Sequence, residues 1–422
     1  MSTLKVNKLR DTAGSADAIT LDPNGGAVLA GVPTVTSVKV GAAVTISESG
    51  IEASGIGITC ANINGTQIGG RRNLVINGAM QVAQRSASAV AVSDGSNEGY
   101  QTLDMFKFSF GNSAAGAANV SQSTDAPTTL GFTKSHKTDV TTVNSTSSGN
   151  GVISLQYQIE GQDLRSSGWN HLSDSSFLTL SFYFKTTKTG NSKLPIMFRT
   201  RHGTNYYYVK NITVTDPTNW NRYTCKIPGN SNLTINDLNT QGMAIFFSYQ
   251  TGSDKDTSSE GSWSTTNAYS TSESTNYFDS TSNDMFITGI QLEVGSTATD
   301  FEHRSFADEL ARCQRYFQVL VDSESVYFGG GYMYDHYRAY LPVQYYVEMR
   351  SAPSFQYTSG TNYYSLHRNG SGDNFDGWSS AIGGDNKHVA IQAQSGLSGT
   401  GGQAGAFWSG NANSKITFEA EL

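Results

Sequence analysis

The sequence predicts an all-β protein with four parts: an extended N-terminal stalk, a β-sandwich of jelly-roll type, a short connector helix and a C-terminal β domain. Only 15% of the 422 residues are charged, against about 25% in an average globular protein. Gly, Ser, Thr, Asn and Tyr are plentiful, as in strands that are joined by turns and made polar by hydroxyls and amides. Segments that alternate apolar and polar residues recur along most of the chain, and one short segment has helical spacing.

Residues 1–70 are predicted to form an N-terminal anchor and stalk. Single apolar residues return every two to six positions between Gly, Ser, Asn and Thr, and no run is long enough to form a core alone. Such a segment buries its side chains only against copies of itself or another protein. The alternative is a flexible linker, but a linker would not need Val44, Ile46, Ile51, Ile56, Ile58, Ile63 and Ile68.

Residues 71–304 are predicted to form the sandwich. In "ISLQYQIE", Ile153, Leu155, Tyr157 and Ile159 fall on one face, and "FLTLSFYFK" alternates in the same way. The segment "NLVINGAM" is interpreted as a strand followed by an Asn-Gly turn. Many short alternating strands without helices between them favour a β-sandwich.

Two segments inside this region, 121–150 and 251–283, are rich in Ser, Thr and Asn. Loops longer than about 15 residues inside a compact domain are usually functional or disordered. The second segment holds aromatic residues that would fold back onto the sandwich, and it is an alternative ligand loop through Trp263, Tyr269 and Tyr277.

Residues 305–320 are predicted to form the connector helix. Phe306, Leu310, Cys313 and Phe317 recur at spacings of four, three and four. Ser305, with an acidic residue three positions on, makes a capping box that fixes the start of the helix. A helix this short is marginal alone, so its apolar face must pack either on its own sandwich or on symmetry copies of the chain.

Residues 321–422 are predicted to form a C-terminal β domain that is dense in tyrosine. Aromatic side chains offer a flat apolar face with a polar tip, and neighbouring amides and carboxylates can bind hydroxyl groups, which is the combination that sugars need. The alternative is that these rings pack within the domain. The predicted ligand-binding residues are Tyr332, Tyr334, His336, Tyr337, Tyr340, Tyr363, Tyr364 and Trp378, and His367 and Phe375 lie beside them in the sequence.

The sequence offers no signal for catalysis, a metal or a cofactor, and we expect that the protein is not an enzyme. The seven His residues are scattered, and no His/Cys group has zinc spacing. The two carboxylates of a glycosidase are close in space but not in sequence, so a glycosidase site stays an open alternative. The three cysteines are expected to be buried free thiols: Cys60, Cys225 and Cys313.

Charge and hydropathy argue against several partners. The net charge of −7 gives no basic face for nucleic acid, and no stretch approaches the roughly 20 apolar residues of a membrane span. No apolar run follows the early positive charges, so we expect synthesis in a cytoplasm without export by the usual route.

Two motifs carry a resemblance to a known family. "RRNLVINGAMQVAQRS", followed by "YQTLDMFKF" at 100–108, resembles the opening of a domain common in tail fibre proteins of tailed bacteriophages. "QLEVGSTATDFEHRSFADELARCQRYF", at 291–317, resembles the close of the same domain. The resemblance covers about 71–317. In that family a basic residue and Trp often follow the Leu-Asp pair, whereas Met105 and Phe106 follow it here.

The resemblance implies a β-sandwich of the carbohydrate-binding type, a location in the virion tail and a homotrimer. In that family the segment beyond the helix is commonly a variable tip. The stalk pattern predicts an anchor at the N-terminus, which in a tail fibre would join phage tail proteins. The predicted function is therefore a tail fibre that recognises a glycan or another receptor on the host surface. A polysaccharide-cutting tailspike and a cellular carbohydrate-binding adhesin are the alternatives.

Overall fold

A computed structural model describes residues 72–112, 114–145 and 149–422 in full and, within residues 1–71, the backbone of eight short strands. The chain divides into two compact units, Met1–Ala61 and Asn62–Leu422. The strands form two three-stranded sheets, β1–β2–β3 and β4–β5–β6, and the ribbon β7–β8. Their bounds are β1 (Lys8–Leu9), β2 (Ile19–Leu21), β3 (Ala27–Leu29), β4 (Ser37–Val40), β5 (Val44–Ser47), β6 (Gly50–Ala53), β7 (Asn62–Ile63) and β8 (Thr66–Gln67). The predicted packing of stalk side chains lies outside the described residues.

Residues 72–304 form a β-sandwich, as predicted. The described strands are β9 (Val90–Ser93), β10 (Phe106–Gly111), β11 (Ala117–Ser123), β12 (Ser135–Thr142), β13 (Val152–Glu160), β14 (Phe177–Thr186), β15 (Ser192–Thr200), β16 (Tyr207–Val214), β17 (Asn221–Pro228), β18 (Gln241–Thr251), β19 (Trp263–Ser264) and β20 (Asp284–Val294). They make two six-stranded antiparallel sheets, β10–β13–β18–β15–β16–β19 and β17–β14–β20–β12–β11–β9.

The two sheets share one hydrophobic core. Phe182 of β14 meets Phe247 of β18 edge to face, with ring centroids 5.2 Å apart. The alternating residues predicted to share a face of β13 are all buried, and so are those of β14. Cys225 and Cys313 are buried free thiols, as expected, and burial raises the pKa of Cys225 to about 12. Cys60 lies outside the described residues.

Three local expectations were wrong. Residues 72–75 do not form a strand, although the turn at Asn77–Gly78 is present and Asn77 has a positive φ of 59°. The Ser/Thr-rich segment 121–150 is not one long loop, because it contains β12. A short helix, α1 (Gly161–Ser166), follows β13 directly, although no helix was expected between the strands of the sandwich.

Helix α2 (Phe306–Gln314) begins where the sequence predicts and ends sooner than residue 320. The Ser305 hydroxyl caps it by accepting a hydrogen bond from the Asp308 backbone N–H at 3.2 Å. Cys313 is buried in the sandwich core and Leu310 packs against it, so the helix packs on its own sandwich. Phe306 is 57% exposed, contrary to the predicted apolar face, and it lines a surface recess together with Phe301 and His303.

The C-terminal region follows α2 directly and has its own core. Its strands are β21 (Phe317–Val321), β22 (Val326–Met333), β23 (Ala339–Gln344), β24 (Ser354–Tyr357), β25 (Tyr364–Arg368), β26 (Ser371–Phe375), β27 (Ser380–Ile382), β28 (His388–Ala393), β29 (Ala404–Ser409) and β30 (Ile416–Glu419). Phe317 therefore belongs to a strand and not to the helix. A three-stranded sheet, β21–β30–β24, and a seven-stranded sheet, β26–β25–β29–β22–β23–β28–β27, enclose the core between them.

The opening and closing motifs of the sandwich meet in space. Asn73 Nδ2 donates to the Ile290 carbonyl at 3.1 Å, and Leu292 N–H donates to Asn73 Oδ1 at 3.1 Å. Arg304 Nη1 donates to Glu309 Oε1 at 2.8 Å and to the Val75 carbonyl at 3.2 Å. Residues of the two motifs that resemble the tail fibre domain thus form one polar network, which joins the start of the sandwich to its end.

Candidate functional site

The outward face of the seven-stranded sheet is the candidate functional site. On β29, Phe407 and Ser409 are fully buried, so Ala406 and Trp408 face away from the core. On β25, Leu366 is buried and His367 faces outward by the same alternation. Strand pairing places Trp408 opposite Tyr327 and Ala406 opposite Gly330, so one continuous face crosses three strands.

A first aromatic group stands at one end of this face and consists of Tyr327, His367 and Trp408. The Tyr327 ring lies 4.7 Å from the Trp408 ring, and His367 stacks on Trp408 at 5.7 Å and 20°. Tyr327 Oη and His367 Nδ1 are 2.7 Å apart, which fixes both rings. Trp408 is half-buried, and within the described chain its indole N–H has no partner. The group offers both an apolar face and a free donor.

A second aromatic group stands at the other end and consists of Tyr332, Tyr334 and Tyr340. Tyr334 stacks on Tyr340 at 4.9 Å and 21°, and Tyr332 meets Tyr340 edge to face at 5.9 Å. Tyr332 is 41% exposed and Tyr334 is 53% exposed. Large rings held this open to solvent are available for stacking.

Small residues separate the two groups. Gly330, Ala404 and Ala406 face outward between them, and Tyr332 pairs with Ala404. From Trp408 to Ala404 the strand advances about 13 Å, at roughly 3.3 Å per residue. The result is a shallow trough with an aromatic group at each end, which we call the aromatic trough. A recess of about 580 Å³ extends from it beside Tyr327, His367 and Ala406.

Both guanidinium groups beside the aromatic trough are neutralised. Arg338 lies over the Tyr334 ring at 4.8 Å and donates from Nε to Asp335 Oδ2 at 2.7 Å. This hydrogen bond lowers the pKa of the Asp335 carboxyl and raises the pKa of Arg338. Arg368 is paired with Asp373. The trough therefore offers stacking and neutral hydrogen bonds instead of a net charge.

Some of the predicted ligand residues come together here. Tyr332, Tyr334 and Tyr340 form the second aromatic group, and His336 and Tyr337 extend it through the turn after β22, with their rings 4.5 Å apart. Tyr337 is 63% exposed.

Other predicted ligand residues lie elsewhere. Tyr364 and Trp378 belong to the domain core, together with Phe375, because they fall on the inward face of the sheet or in a loop folded beneath it. Tyr363 is half-buried and packs against that core. These three predicted residues do not contribute to the aromatic trough.

The alternative loop packs onto the sandwich. Tyr277 is fully buried, and its hydroxyl lies 2.9 Å from Ser192 Oγ. Trp263 Nε1 donates to the Pro228 carbonyl at 2.7 Å, and Tyr269 meets Phe246 edge to face at 5.3 Å. The polar tips of Trp263 and Tyr277 are thus occupied within the protein.

Sequence analysis missed Trp408, Ala404 and Ala406. The stretch "AGAFWS" alternates small and aromatic residues, which is a strand signal, but its surroundings of Gly, Ser and Asn conceal it. No group of three or more His, Cys, Asp or Glu residues within the described ranges could hold a metal ion. In the same ranges, no helix has the length and apolar character that crossing a membrane requires.

Comparisons with known proteins find similarity only to solved structures. No family model matches the chain, and no curated relative matches it. The enzymatically active domain of tailspike protein 4 from bacteriophage CBA120 aligns with 53% of this chain at 13% identity and a TM-score of 0.26. The alignment spans 21% of that tailspike domain.

Two carbohydrate-binding modules align with about the same share of the chain. The xylan-binding module CBM22-1 of Xyn10C from Paenibacillus barcinonensis aligns over 51% of this chain and 100% of its own length, at 10% identity and a TM-score of 0.25. The family 11 module from Clostridium thermocellum, solved with a mixed-linked tetrasaccharide, aligns over 51% and 99%, at 13% identity and a TM-score of 0.25. Similarity at these TM-scores does not assign a function to this chain.

Proposed function

We propose that the protein is a bacteriophage tail fibre whose C-terminal domain binds a neutral glycan of the host surface in the aromatic trough. The observation that carries the proposal is the pair of exposed aromatic groups about 13 Å apart along one sheet face. Sugar rings stack on aromatic faces, and the small residues between the groups leave room for a chain of sugars. The absence of net charge at the trough favours a neutral glycan.

The tail fibre role is supported by the two sequence motifs that resemble such proteins. Their residues meet in the polar network of Asn73, Arg304 and Glu309, so the motifs are explained as parts of one folded unit. In this proposal the N-terminal unit joins the phage tail, and the chain acts in the virion as a homotrimer without catalytic activity.

Repetition across the trimer makes weak contacts sufficient. One aromatic contact contributes about 1 kcal/mol, which alone is too little for measurable binding. Two aromatic groups per chain, presented three times, raise the effective affinity through multivalency without new contacts. Because the contacts are uncharged, binding should respond weakly to salt.

Host adsorption tests the proposal through Trp408→Ala and Tyr334→Ala. Each change removes one stacking face at one end of the trough, and we expect roughly five- to tenfold weaker adsorption of the purified protein to host cells. Tyr346→Ala is the matched control, because Tyr346 is 60% exposed but lies outside the trough. Native adsorption by the double variant Trp408→Ala/Tyr334→Ala, with the fold intact, would contradict the proposal.

A further inference from the structure

A second recess, of about 410 Å³, opens in the C-terminal domain away from the aromatic trough. It lies between the end of β24, the loop 376–379 and the residues that follow β28. Tyr357 and Trp378 provide its aromatic walls. Its polar lining consists of Ser359, Ser379, Gln394 and Ser395, and no charged side chain lines it.

Trp378, which lines this recess, carries a hydrogen-bond donor without a partner among the described residues. Its ring is 3% exposed and packs against Phe375 at 5.3 Å and Phe407 at 5.1 Å. Its Nε1–H is buried and has no hydrogen-bond partner in the described chain. An unsatisfied buried donor costs about 1–3 kcal/mol, so it is normally avoided.

The indoles of the three sandwich tryptophans all have hydrogen-bond partners. Trp169 donates to the Ser176 carbonyl at 3.3 Å, and Trp220 donates to Asp125 Oδ1 at 3.0 Å. Trp263 donates to a backbone carbonyl as well. Trp378 therefore differs from the three tryptophans of the sandwich, and its side chain lines a cavity.

Further groups in the recess have hydrogen-bonding capacity to spare. Gln394 Oε1 accepts from Gln392 Nε2 at 2.9 Å, which leaves the Gln394 amide N–H groups without a partner in the described chain. Tyr357 is 39% exposed and is held by stacking on Phe355 at 5.4 Å and 29°. A Cβ at Gly377 would lie 2.8 Å from the Tyr357 ring, so this glycine permits the close approach of loop and ring.

We infer that this recess is a second binding site, which takes one neutral sugar ring between Tyr357 and the Trp378 indole N–H. The sugar stacks on Tyr357, one of its oxygens accepts from Trp378 Nε1, and the amide of Gln394 donates to another. A uronic or sialic acid is disfavoured, because its carboxylate would be desolvated without a cation. The choice of a sugar rests on the proposed function, whereas the cavity and its unpaired donor do not.

Indole NMR on the intact protein tests the site directly. The chain has five tryptophans, and each gives one ¹⁵N–¹H indole signal. Trp378→Phe assigns the signal of Trp378 by its loss. We expect this signal to shift when glucose, galactose or N-acetylglucosamine is added up to about 100 mM, at which a site with a Kd of about 1 mM is saturated. Glucuronate should shift it at least tenfold less at equal concentration.

Matched variants separate this site from the aromatic trough. Tyr357→Ala and Gln394→Ala change exposed side chains. Each variant should reduce the sugar-induced shift of the Trp378 signal at least threefold and leave the response of the Trp408 signal as it is in the native protein. Trp408→Phe should leave the Trp378 titration unchanged. A Trp378 signal that does not move with any neutral sugar, or that moves equally with glucuronate, overturns the inference. Loss of host adsorption only in the trough variants would then leave the proposed function standing.

Discussion

Glu160 is a fully buried carboxylate at the end of β13, and it joins the sandwich to the segment that follows α2. Arg315 donates to it from Nε and Nη2, both at 3.0 Å, and Tyr316 Oη donates at 2.5 Å. Burial, and then the charge of Glu160, raise the pKa of Tyr316 well above its ordinary value, so the phenol stays protonated and donates. The burial cost of this carboxylate is offset by its donors.

Removing one of the donors to Glu160 should destabilise the fold by the cost of burying its carboxylate. We expect Arg315→Ala to lower the free energy of unfolding by about 3 kcal/mol, because a buried carboxylate loses its cationic partner. Chemical denaturation with a matched fit of the m-value measures the loss. Arg338→Ala is the control, since its ion pair with Asp335 is exposed and should contribute nothing measurable. Equal stability of Arg315→Ala and the native chain would contradict this account of Glu160.

The sequence predicts which aromatic residues of the C-terminal domain share a face, but not which of them are buried. Alternation predicts that Tyr332 and Tyr334 share a face, and they do. It does not decide which face packs on the three-stranded sheet, so Tyr364 and Tyr332 are equivalent in sequence but differ in burial. Trp378 lies in a loop, where no periodicity exists, and only tertiary packing places it in the core.

Helix α2 positions the C-terminal domain through its two ends. Its start is fixed by Ser305, whose hydroxyl also donates to Asp308 Oδ2 at 2.7 Å. Its last turn is fixed by Cys313 in the sandwich core, and Tyr316, two residues beyond the helix, lies in the same core. Because β21 begins at Phe317, three residues after the helix ends, the direction of the helix sets the direction of the first strand of the C-terminal domain.

The helix cap should have a measurable effect. Ser305→Ala removes the acceptor for the Asp308 N–H, and we expect a loss of about 1 kcal/mol in the free energy of unfolding. Ser305→Thr keeps a hydroxyl that can accept from the Asp308 N–H and donate to the Asp308 carboxylate, so it should stay close to the native stability. Thermal unfolding of both variants compares them, and an equal loss in the two would show that the capping hydrogen bond is not the cause.

Elements with strong alternation could be predicted, whereas elements formed by tertiary contacts could not. Strands β13 and β14 follow from the sequence because their apolar residues recur at every second position. Leu74 and Val75 are apolar and buried but lie outside any strand, since Leu74 N–H donates to Leu292 O while Val75 N–H donates to the Asn73 side chain. The Asn73 side chain accepts the hydrogen bond that a neighbouring strand would otherwise accept, and strand propensity cannot predict such a side-chain contact.

At the scale of the whole molecule, charged groups join the sandwich to the C-terminal domain. Arg85 donates to Glu421 Oε1 at 2.8 Å and lies 3.7 Å from Asp104 and 3.9 Å from Glu419. Arg350 donates to the backbone carbonyls of Asn239 and Ala420, at 2.8 and 2.7 Å. Three carboxylates around one guanidinium leave an excess of negative charge. Two of them, Glu419 and Glu421, lie more than 300 positions from Arg85, so no sequence pattern predicts the contact.

This junction should make stability depend on pH. Burial raises the pKa of Glu421 from 4.5 to about 7, so the folded chain binds this proton more tightly than the unfolded chain. The resulting stability is fully present below about pH 4.5 and is lost as the pH rises through about 7. Glu421→Gln removes this loss, so we expect its stability relative to the native chain to rise by about 3 kcal/mol between pH 4.5 and 7.5.

Thermal unfolding of Glu421→Gln and of the native chain between pH 4.5 and 7.5 measures this difference in stability. Glu419→Gln is the matched control, because its side chain is 38% exposed and lies farther from Arg85, so it should leave the pH dependence unchanged. A constant difference between Glu421→Gln and the native chain at every pH would mean that Glu421 does not titrate in this window.

Hydroxyl-radical footprinting with the host's surface polysaccharide tests whether the aromatic trough binds the glycan, since it reports the exposure of each aromatic side chain in the bound protein. We expect Tyr327, Tyr334 and Trp408 to become protected from oxidation when the polysaccharide binds, while Tyr346 is oxidised as before. Binding that leaves both aromatic groups of the trough as reactive as in the free protein, or that protects Trp263 and Tyr269 instead, would contradict it.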